Sequence, residues 1–154
     1  MARLRVGILG ASGLVSQRMQ QRLSNHPWFE LAAVAGQSSG TKLSEIQWHL
    51  DEQRPPSVSQ SGIQILDINK NDLPSEFLKR GVEIVFSALP SQPALSIERR
   101  LVDEGIHVFS NASAYRMDPN VALVVADVNP GALHPPQPGK ALHACATNCT
   151  LIPV

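Results

Sequence analysis

Short runs of apolar residues, separated by polar and glycine-rich turns, recur along most of the chain. The runs are rich in branched side chains, and each is long enough for one buried strand. Apolar residues at helical spacing lie between several of them. Strands that alternate with helices at this spacing imply right-handed crossovers and a parallel sheet. The strands are predicted over residues 5–9, 31–35, 63–66, 82–86, 106–109, 121–126 and 141–146.

The first predicted helix follows the strand at residues 5–9. Val15, Met19 and Leu23 recur every four residues and so share one face of that helix. A second helix is predicted over residues 72–79, with Gly81 in the position that commonly ends a helix. The alternation as a whole predicts an α/β fold, a Rossmann-like doubly wound sheet whose strands are mostly parallel.

A third helix is predicted over residues 94–102, ended by Gly105. Its inward residues are assigned as Leu95 and Leu101, and its outward residues as Glu98, Arg99 and Arg100. Residues 40–62 are the least regular part of the chain. Within them a short helix is predicted on the apolar residues Leu43, Ile46 and Leu50.

The turn after the first strand carries the first candidate chemistry. Gly10 and Gly13 flank Ala11 and Ser12, so the turn has almost no side-chain bulk. A glycine-rich turn between a strand and a helix presents free backbone N–H groups at a helix N-terminus, where a phosphate is favoured. The turn therefore predicts the pyrophosphate site of a dinucleotide, with a purely structural turn as the alternative.

The end of the second strand bears on which dinucleotide binds. An acidic residue there would accept a hydrogen bond from the ribose 2′-hydroxyl of NAD. Residues 36–42 instead carry Ser38, Ser39 and Lys42 and no acid. Hydroxyl donors and a nearby cation suit a 2′-phosphate, so NADP is preferred over NAD, and a plain polar loop is the alternative.

Composition and charge narrow the function classes. The chain has 154 residues, 43% of them hydrophobic, with 13 basic and 13 acidic residues. This balance gives no reason to expect nucleic acid or an anionic membrane as a partner. The sequence contains no apolar run long enough to span a bilayer, and its first residues do not resemble a signal peptide. A cytoplasmic protein is expected.

The chain contains two cysteines, Cys145 and Cys149. They do not make a disulfide framework. Cys149 follows an apolar strand and leads into a predicted helix, where a thiolate would be stabilised; a small buried hydrophobe is the alternative. A metal site that combines them with His143 fails on ligand count, since zinc takes four ligands.

Several longer motifs, in order, identify a family. The segments GASGLVSQR, NHPWFEL, FSALPS, SNASAYRM, VVADVNP and NCT closely resemble aspartate-semialdehyde dehydrogenases, with the archaeal and fungal branch as the nearest match. The likeness covers essentially the whole chain. It departs from the family at Ser16, which stands where the family has a third glycine, and at residues 126–127 and Thr147. The last two departures bear on the shape of the acyl pocket and hence on the acyl substrate.

The resemblance implies an NADP-dependent reduction of L-aspartyl 4-phosphate to L-aspartate 4-semialdehyde, with inorganic phosphate as the second product. Cys149 matches the nucleophile that forms a thioester. Arg116 matches the arginine that binds the phosphate group, Asn148 a residue lining the acyl-phosphate site, and Asn111 a weaker candidate there. The implied cofactor contacts are Gly10, Ser12, Gly13, Leu14, Val15, Ser38, Ser39, Ser87, Ala88, Leu89 and Pro90.

The family's general base, a substrate-binding arginine and its dimer surface lie downstream of the nucleophile. No histidine of this chain matches that base. We therefore expect residues 1–146 to form the NADP-binding domain and residues 147–154 to begin the catalytic domain, with a homo-oligomer for a full-length protein. The chain alone is expected to bind NADP at best weakly and to show no turnover.

The sequence is also compatible with other functions. A related acyl reductase, such as a malonyl-CoA reductase, would use the same thioester chemistry on another acyl group. A non-catalytic nucleotide-binding module, or one half of a split enzyme, belongs to a different class. Alkylation of Cys149 much faster than of Cys145 would favour an enzyme.

Overall fold

A seven-stranded sheet organises residues 2–146, the part of the chain that the computed structural model describes. Cys149 and Asn148 lie outside these residues. The spatial order is β3-β2-β1-β4-β5-β7-β6, and every neighbouring pair of strands is parallel. The strands are β1 Leu4–Leu9, β2 Phe29–Gly36, β3 Leu66–Asp67, β4 Ile84–Ser87, β5 His107–Ser110, β6 Ala122–Val124 and β7 His143–Ala146.

Helices lie on both faces of the sheet, as the α/β prediction requires. Helices α3 and α4 pack on one face, over a core that includes Val85 and Val108. Helix α1 and the segment that contains α2 pack on the other face, over Ile8 and Val34. No helix in the described range is long and apolar enough to cross a membrane. The helices are α1 Leu14–Leu23, α2 Pro56–Ser59, α3 Leu73–Lys79 and α4 Ser91–Asp103, with single 3₁₀ turns at Leu43–Glu45 and Pro130–Ala132.

The predicted ends of two helices are confirmed. Gly81 and Gly105 follow α3 and α4 with φ of +69° and +86°. This is the left-handed conformation that glycine adopts at little cost, and it turns the chain into the next strand.

The predicted apolar face of α1 is only partly buried: Leu23 lies in the core and Met19 packs against it. Val15 is 39% exposed, whereas Ser16, Gln17 and Gln20 are buried beside Leu23. The apolar spacing misled because these polar side chains find hydrogen-bond partners inside the fold, which removes the usual cost of burying them.

The predicted faces of α4 are also partly wrong. Leu101 is buried as expected, but Leu95 is 43% exposed and Glu98 is fully buried. The carboxylate of Glu98 has two hydrogen-bonded side-chain partners, and these make its burial possible.

The irregular segment folds differently from the prediction. The expected short helix on Leu43, Ile46 and Leu50 reduces to the 3₁₀ turn Leu43–Glu45. The expected strand at residues 63–66 reduces to β3, because residues 63–65 bond back to residues 41–43: Leu43 N donates to Ile63 O at 2.8 Å and Ile65 N to Thr41 O at 2.9 Å.

Candidate functional site

The loops that follow β1, β2, β4 and β5 lie together at one edge of the sheet. Because all strand pairs are parallel, their carboxyl ends share that edge. Backbone hydrogen bonds tie the first residues of these loops to the ends of neighbouring strands: Gly10 N donates to Ala35 O of β2 at 2.8 Å, and Ala88 N donates to Leu9 O of β1 at 2.9 Å. Asn111 N donates to Ser87 O, also at 2.9 Å. The strand order changes direction between β1 and β4, which is where ligands bind in doubly wound sheets.

Glycine allows the loop after β1 to sit tightly between its neighbours. Gly10 has φ of +92°, and a Cβ added there would lie 3.3 Å from Ala88 O. On the other side, a Cβ at Gly36 would lie 3.1 Å from the Cβ of Ala11. Side chains at these positions would push the loops apart.

Gly13 has a different environment. Its φ is −69°, which other residues adopt easily, and a Cβ there would meet no atom of residues 2–146 within 4 Å. Nothing in the described fold therefore requires glycine here, but an open backbone suits the close approach of a ligand. Gly13 is the N-cap of α1, whose first turn contains no acidic residue.

The first turn of α1 is available to an anion. Ser12, Gly13, Leu14 and Val15 are all exposed. The first N–H groups of a helix have no intrahelical acceptor, and the helix dipole favours negative charge there. A pyrophosphate fits this arrangement.

The loop after β2 contains the hydroxyl groups expected to meet a 2′-phosphate. Ser38 is half-buried, and Ser39 and Lys42 are exposed. The sequence reasoning missed Asp67, which ends β3 in register with Gly36 and so brings a carboxylate to the same edge. Only the pairing of β2 with β3 reveals this, since Asp67 lies far from residues 36–42 in the sequence.

The loop after β4 carries a buried hydroxyl without a partner. Ser87 is fully buried, and its Oγ has no hydrogen bond within the described residues. Ala88 and Leu89 are half-buried, and Pro90 is exposed at the N-cap of α4. Buried hydroxyls are normally hydrogen-bonded. Because Ser87 Oγ has no partner among the described residues, it can bond to a ligand at the edge where the loops meet.

The loop after β5 brings Arg116 and Asn111 together. The Arg116 guanidinium donates through Nη2 to the backbone oxygen of Asn111 at 2.8 Å. Its Nε is buried and has no partner among residues 2–146. Arg116 therefore retains unused donors, as a phosphate-binding arginine requires. Asn148 and Cys149 lie outside the described range, so their position relative to Arg116 stays a prediction.

A buried polar cluster that the sequence reasoning missed supports the loop after β5. Ser110 Oγ donates to Glu98 Oε1 at 2.7 Å, and His143 Nε2 lies 3.0 Å from Glu98 Oε2. The ring of Tyr115 packs edge-on against His143 at 4.5 Å. One signal could have located Glu98: residues 94, 98 and 101 share a helix face, and both Ala94 and Leu101 are apolar.

Cys145 belongs to the same region and is not a reactive thiol. It is 1% exposed on β7. Burial, together with the negative charge of Glu98, raises the pKa of its thiol to about 11. A thiol in such surroundings is inert near neutral pH. The described residues contain no group of three or more ligating side chains that could hold a metal ion.

Comparisons with known proteins find relatives over most of the chain. The family model described as "Semialdehyde dehydrogenase, NAD binding domain" matches residues 5–135. An aspartate-semialdehyde dehydrogenase from Archaeoglobus fulgidus is 38% identical over 83% of this chain, and one from Saccharomyces cerevisiae is 34% identical over 94% of it. The chain spans 36% and 41% of the length of these two relatives.

A solved structure is similar over most of the described fold. The crystal structure of an aspartate-semialdehyde dehydrogenase with NADP, from Candida albicans, superposes with a TM-score of 0.73 at 34% identity. The match covers 85% of this chain and 36% of that one.

Proposed function

The chain belongs to the semialdehyde dehydrogenase, NAD binding domain family, and on that premise we propose that it is the NADP-binding part of an aspartate-semialdehyde dehydrogenase. In this proposal residues 1–146 form the cofactor domain, and residues 147–154 begin the catalytic domain with Cys149. The reaction is the reductive dephosphorylation of L-aspartyl 4-phosphate to L-aspartate 4-semialdehyde.

The chemistry assigned to Cys149 is covalent catalysis. Its thiolate attacks the acyl carbon, and the bond between that carbon and the phosphate oxygen breaks. Inorganic phosphate departs, and the acyl group remains on the sulfur as a thioester. The reduced cofactor, when bound, supplies the hydride that converts the thioester to a thiohemiacetal. Collapse of that adduct releases the semialdehyde and restores the thiolate.

One observation carries the proposal: the loops after β1, β2, β4 and β5 meet at the carboxyl edge of the sheet, where Gly10, Ala88 and Asn111 bond to the ends of neighbouring strands. That edge holds an open helix N-terminus and two buried polar atoms that have no partner among residues 2–146, Ser87 Oγ and Arg116 Nε. Unpaired buried polar atoms are costly, so their presence at the expected site supports a ligand there.

Each remaining site residue has a proposed role that follows from its chemistry. Arg116 binds the phosphate of the acyl donor through its unused donors, and Asn111 and Asn148 line the acyl site. Ser38, Ser39 and Lys42 bind the 2′-phosphate of NADP. Asp67 lies at the same edge, where its carboxylate accepts a hydrogen bond from Asn69 N at 2.9 Å.

Cofactor binding is best tested at Gly13, because this position is open. An aspartate there should weaken NADP binding at least tenfold, since its carboxylate would occupy and repel the pyrophosphate site. Asp is also a favourable N-cap residue, so the G13D chain should fold at least as well as the wild type. Calorimetric titration of NADP measures the effect.

Gly62 offers a matched control. It is also exposed, and a Cβ there meets no atom of the described residues within 4 Å. Gly62→Asp makes the same change in charge and should leave NADP binding unchanged. Equal binding by the wild type, G13D and G62D would reject the loop after β1 as the cofactor site.

The nucleophile is tested by alkylation, with Cys145 as the internal reference. Iodoacetamide at neutral pH should label Cys149 much faster than Cys145, whose pKa is raised to about 11. Peptide mapping by mass spectrometry separates the two sites. Labelling of both at the same slow rate would favour a non-catalytic nucleotide-binding module.

The partners proposed for the full-length protein are an acyl phosphate or semialdehyde, inorganic phosphate and further copies of the same chain, in the cytoplasm. The balanced charge of the chain supports small-molecule partners over nucleic acid. A product assay with aspartyl phosphate and with an acyl-CoA donor would identify the acyl group.

A further inference from the structure

The inward face of α1 is polar, which is unusual for a helix that packs on a sheet. Ser16 and Gln17 are 0% exposed, and Gln20 is 2% exposed. Burying such groups is costly unless they are hydrogen-bonded. Their partners show what this polar face does.

These side chains bind three successive carbonyl oxygens of the loop after β1. Ser16 Oγ donates to Gly10 O, Gln20 Nε2 donates to Ala11 O at 2.9 Å, and Gln17 Nε2 donates to Ser12 O at 2.9 Å. Gln20 Nε2 also lies 3.1 Å from Ser16 Oγ, so two of the donors support each other. The three carbonyl groups are thus held against the buried side chains of α1.

Gln17 additionally ties this loop to the irregular segment. Its Nε2 donates to Gln47 O at 2.8 Å, and its Oε1 accepts from His49 N at 2.7 Å. One buried carboxamide therefore uses both of its donor positions and its acceptor. It links the loop after β1 to residues 47–49, which are distant in sequence.

We propose that Gln17 and Gln20 are positioning residues for the cofactor pyrophosphate, and that residues 47–49 brace the same loop through Gln17. This assignment rests on the proposed binding of NADP. The two glutamines do not touch the cofactor. They fix the loop carbonyls inward, so that the loop N–H groups remain oriented toward the phosphates.

The test compares Gln→Met substitutions on one helix. Methionine is similar to glutamine in length, but it cannot donate a hydrogen bond. Gln17→Met and Gln20→Met remove the buried donors. Gln21→Met is the matched control, because the side chain of Gln21 bonds only to the exposed Arg18 side chain among the described groups. Thermal unfolding identifies any variant that fails to fold.

Comparing the affinities for two ligands shows whether a variant has lost only the positioning of the pyrophosphate loop or has lost structure more generally. NADP contains the pyrophosphate, whereas adenosine 2′-phosphate has the adenosine and the 2′-phosphate without it. Gln17→Met and Gln20→Met should each weaken NADP binding about tenfold, because the loop that they no longer fix must then be ordered when the pyrophosphate binds. They should change the affinity for adenosine 2′-phosphate less than twofold, and Q21M should change neither.

The cofactor-free chain provides an independent readout. The backbone ¹⁵N order parameters of Ser12 and Gly13 should fall in Q17M and Q20M and stay unchanged in Q21M. Unchanged NADP affinity and loop order in Q17M and Q20M would overturn the assignment, as would equal weakening of both ligands. Because the chain alone is expected to bind NADP weakly, both titrations extend to millimolar ligand. A wild-type chain that binds neither ligand there would instead reject the proposed function and the assignment with it.

Discussion

The strands β1 and β4 are neighbours in register, yet their surroundings differ. On the α1 side of β1, Val6 and Ile8 are fully buried. On the same side of β4, their register partners Ile84 and Phe86 are only half-buried. Strand β5 repeats the pattern of β4, with half-buried and buried positions alternating.

The difference shows that the two halves of the sheet are stabilised differently. Strands β1 and β2 are covered on both faces by apolar packing. On β4 and β5 the described residues cover one face completely, and that face contains the buried Glu98 cluster. The candidate site lies at the boundary between these halves. Substitutions in the two halves should therefore differ in how much they lower the free energy of unfolding and in how much they affect ligand binding.

The largest effect is expected at the buried polar cluster of the second half. Glu98→Ala leaves Ser110 Oγ and His143 Nε2 without their partner, and each buried polar group left unsatisfied costs about 1–3 kcal/mol. Chemical denaturation should show this loss, with a smaller loss for the conservative E98Q. Arg99→Ala, on the exposed side of α4, is the control. A negligible effect of E98A would mean that the cluster contributes nothing to stability.

The next largest loss of stability is expected at Ile8, which can be compared with Ile84 on the same side of the neighbouring strand. Ile8→Ala empties a fully buried position, and such changes cost about 2–5 kcal/mol. Ile84→Ala should cost less, because Ile84 is only half-buried. Both are read from the same denaturation curves. An equal loss would show that β4 is as well packed on this side as β1.

A pH-dependent effect is expected at Cys145, on the covered face of the second half. The pKa of its thiol is raised from 9.0 to about 11, mainly by burial. A raised pKa means that the neutral thiol stabilises the fold at full strength below pH 9, and that this stability is lost as the pH rises toward 11. Each pKa unit corresponds to about 1.4 kcal/mol. Between pH 8 and 11 the free energy of unfolding should therefore change less with pH in C145A than in the wild type. Groups other than Cys145 that titrate in this range contribute equally to both proteins.

The smallest effect is expected at an ion pair on the surface of α3. Arg80 and Lys79 lower the pKa of Glu76 from 4.5 to about 2. A lowered pKa means that the stabilising charge is present above pH 4.5 and lost as the pH falls toward 2. Because solvent screens this pair, Glu76→Gln should have only a slight effect at pH 7. A loss as large as that of E98A would contradict the distinction between buried and surface pairs.

The sequence predicted the strands and the carboxyl edge well, because buried parallel strands are continuous apolar runs with clear turns between them. It predicted the helix faces less well. Apolar spacing grouped Val15 with the apolar face of α1 and assigned Glu98 outward, since a polar residue is normally placed outside. Partners that lie elsewhere in the chain, the loop carbonyls for Gln17 and Gln20 and His143 for Glu98, reverse that assignment.

Residues 40–62 could not be predicted for a related reason. Their conformation depends on long-range backbone bonds and on single side chains such as Gln17 and Arg54, which binds Ser44 O and Ile46 O. No local periodicity encodes such contacts. Asp67 was missed in the same way, because its place beside Gly36 exists only once β3 has paired with β2.

The position of β7 between β5 and β6 has a consequence for synthesis on the ribosome. Strand β6 emerges earlier, but its neighbour in the sheet is β7, so it cannot pair until residues 143–146 have been made. The same residues deliver His143 to Glu98. In a nascent chain that already contains β1 to β5, the outer edge of β5 would therefore be unpaired, and Glu98 would lack its His143 partner. Both conditions would last until residues 143–146 leave the exit tunnel.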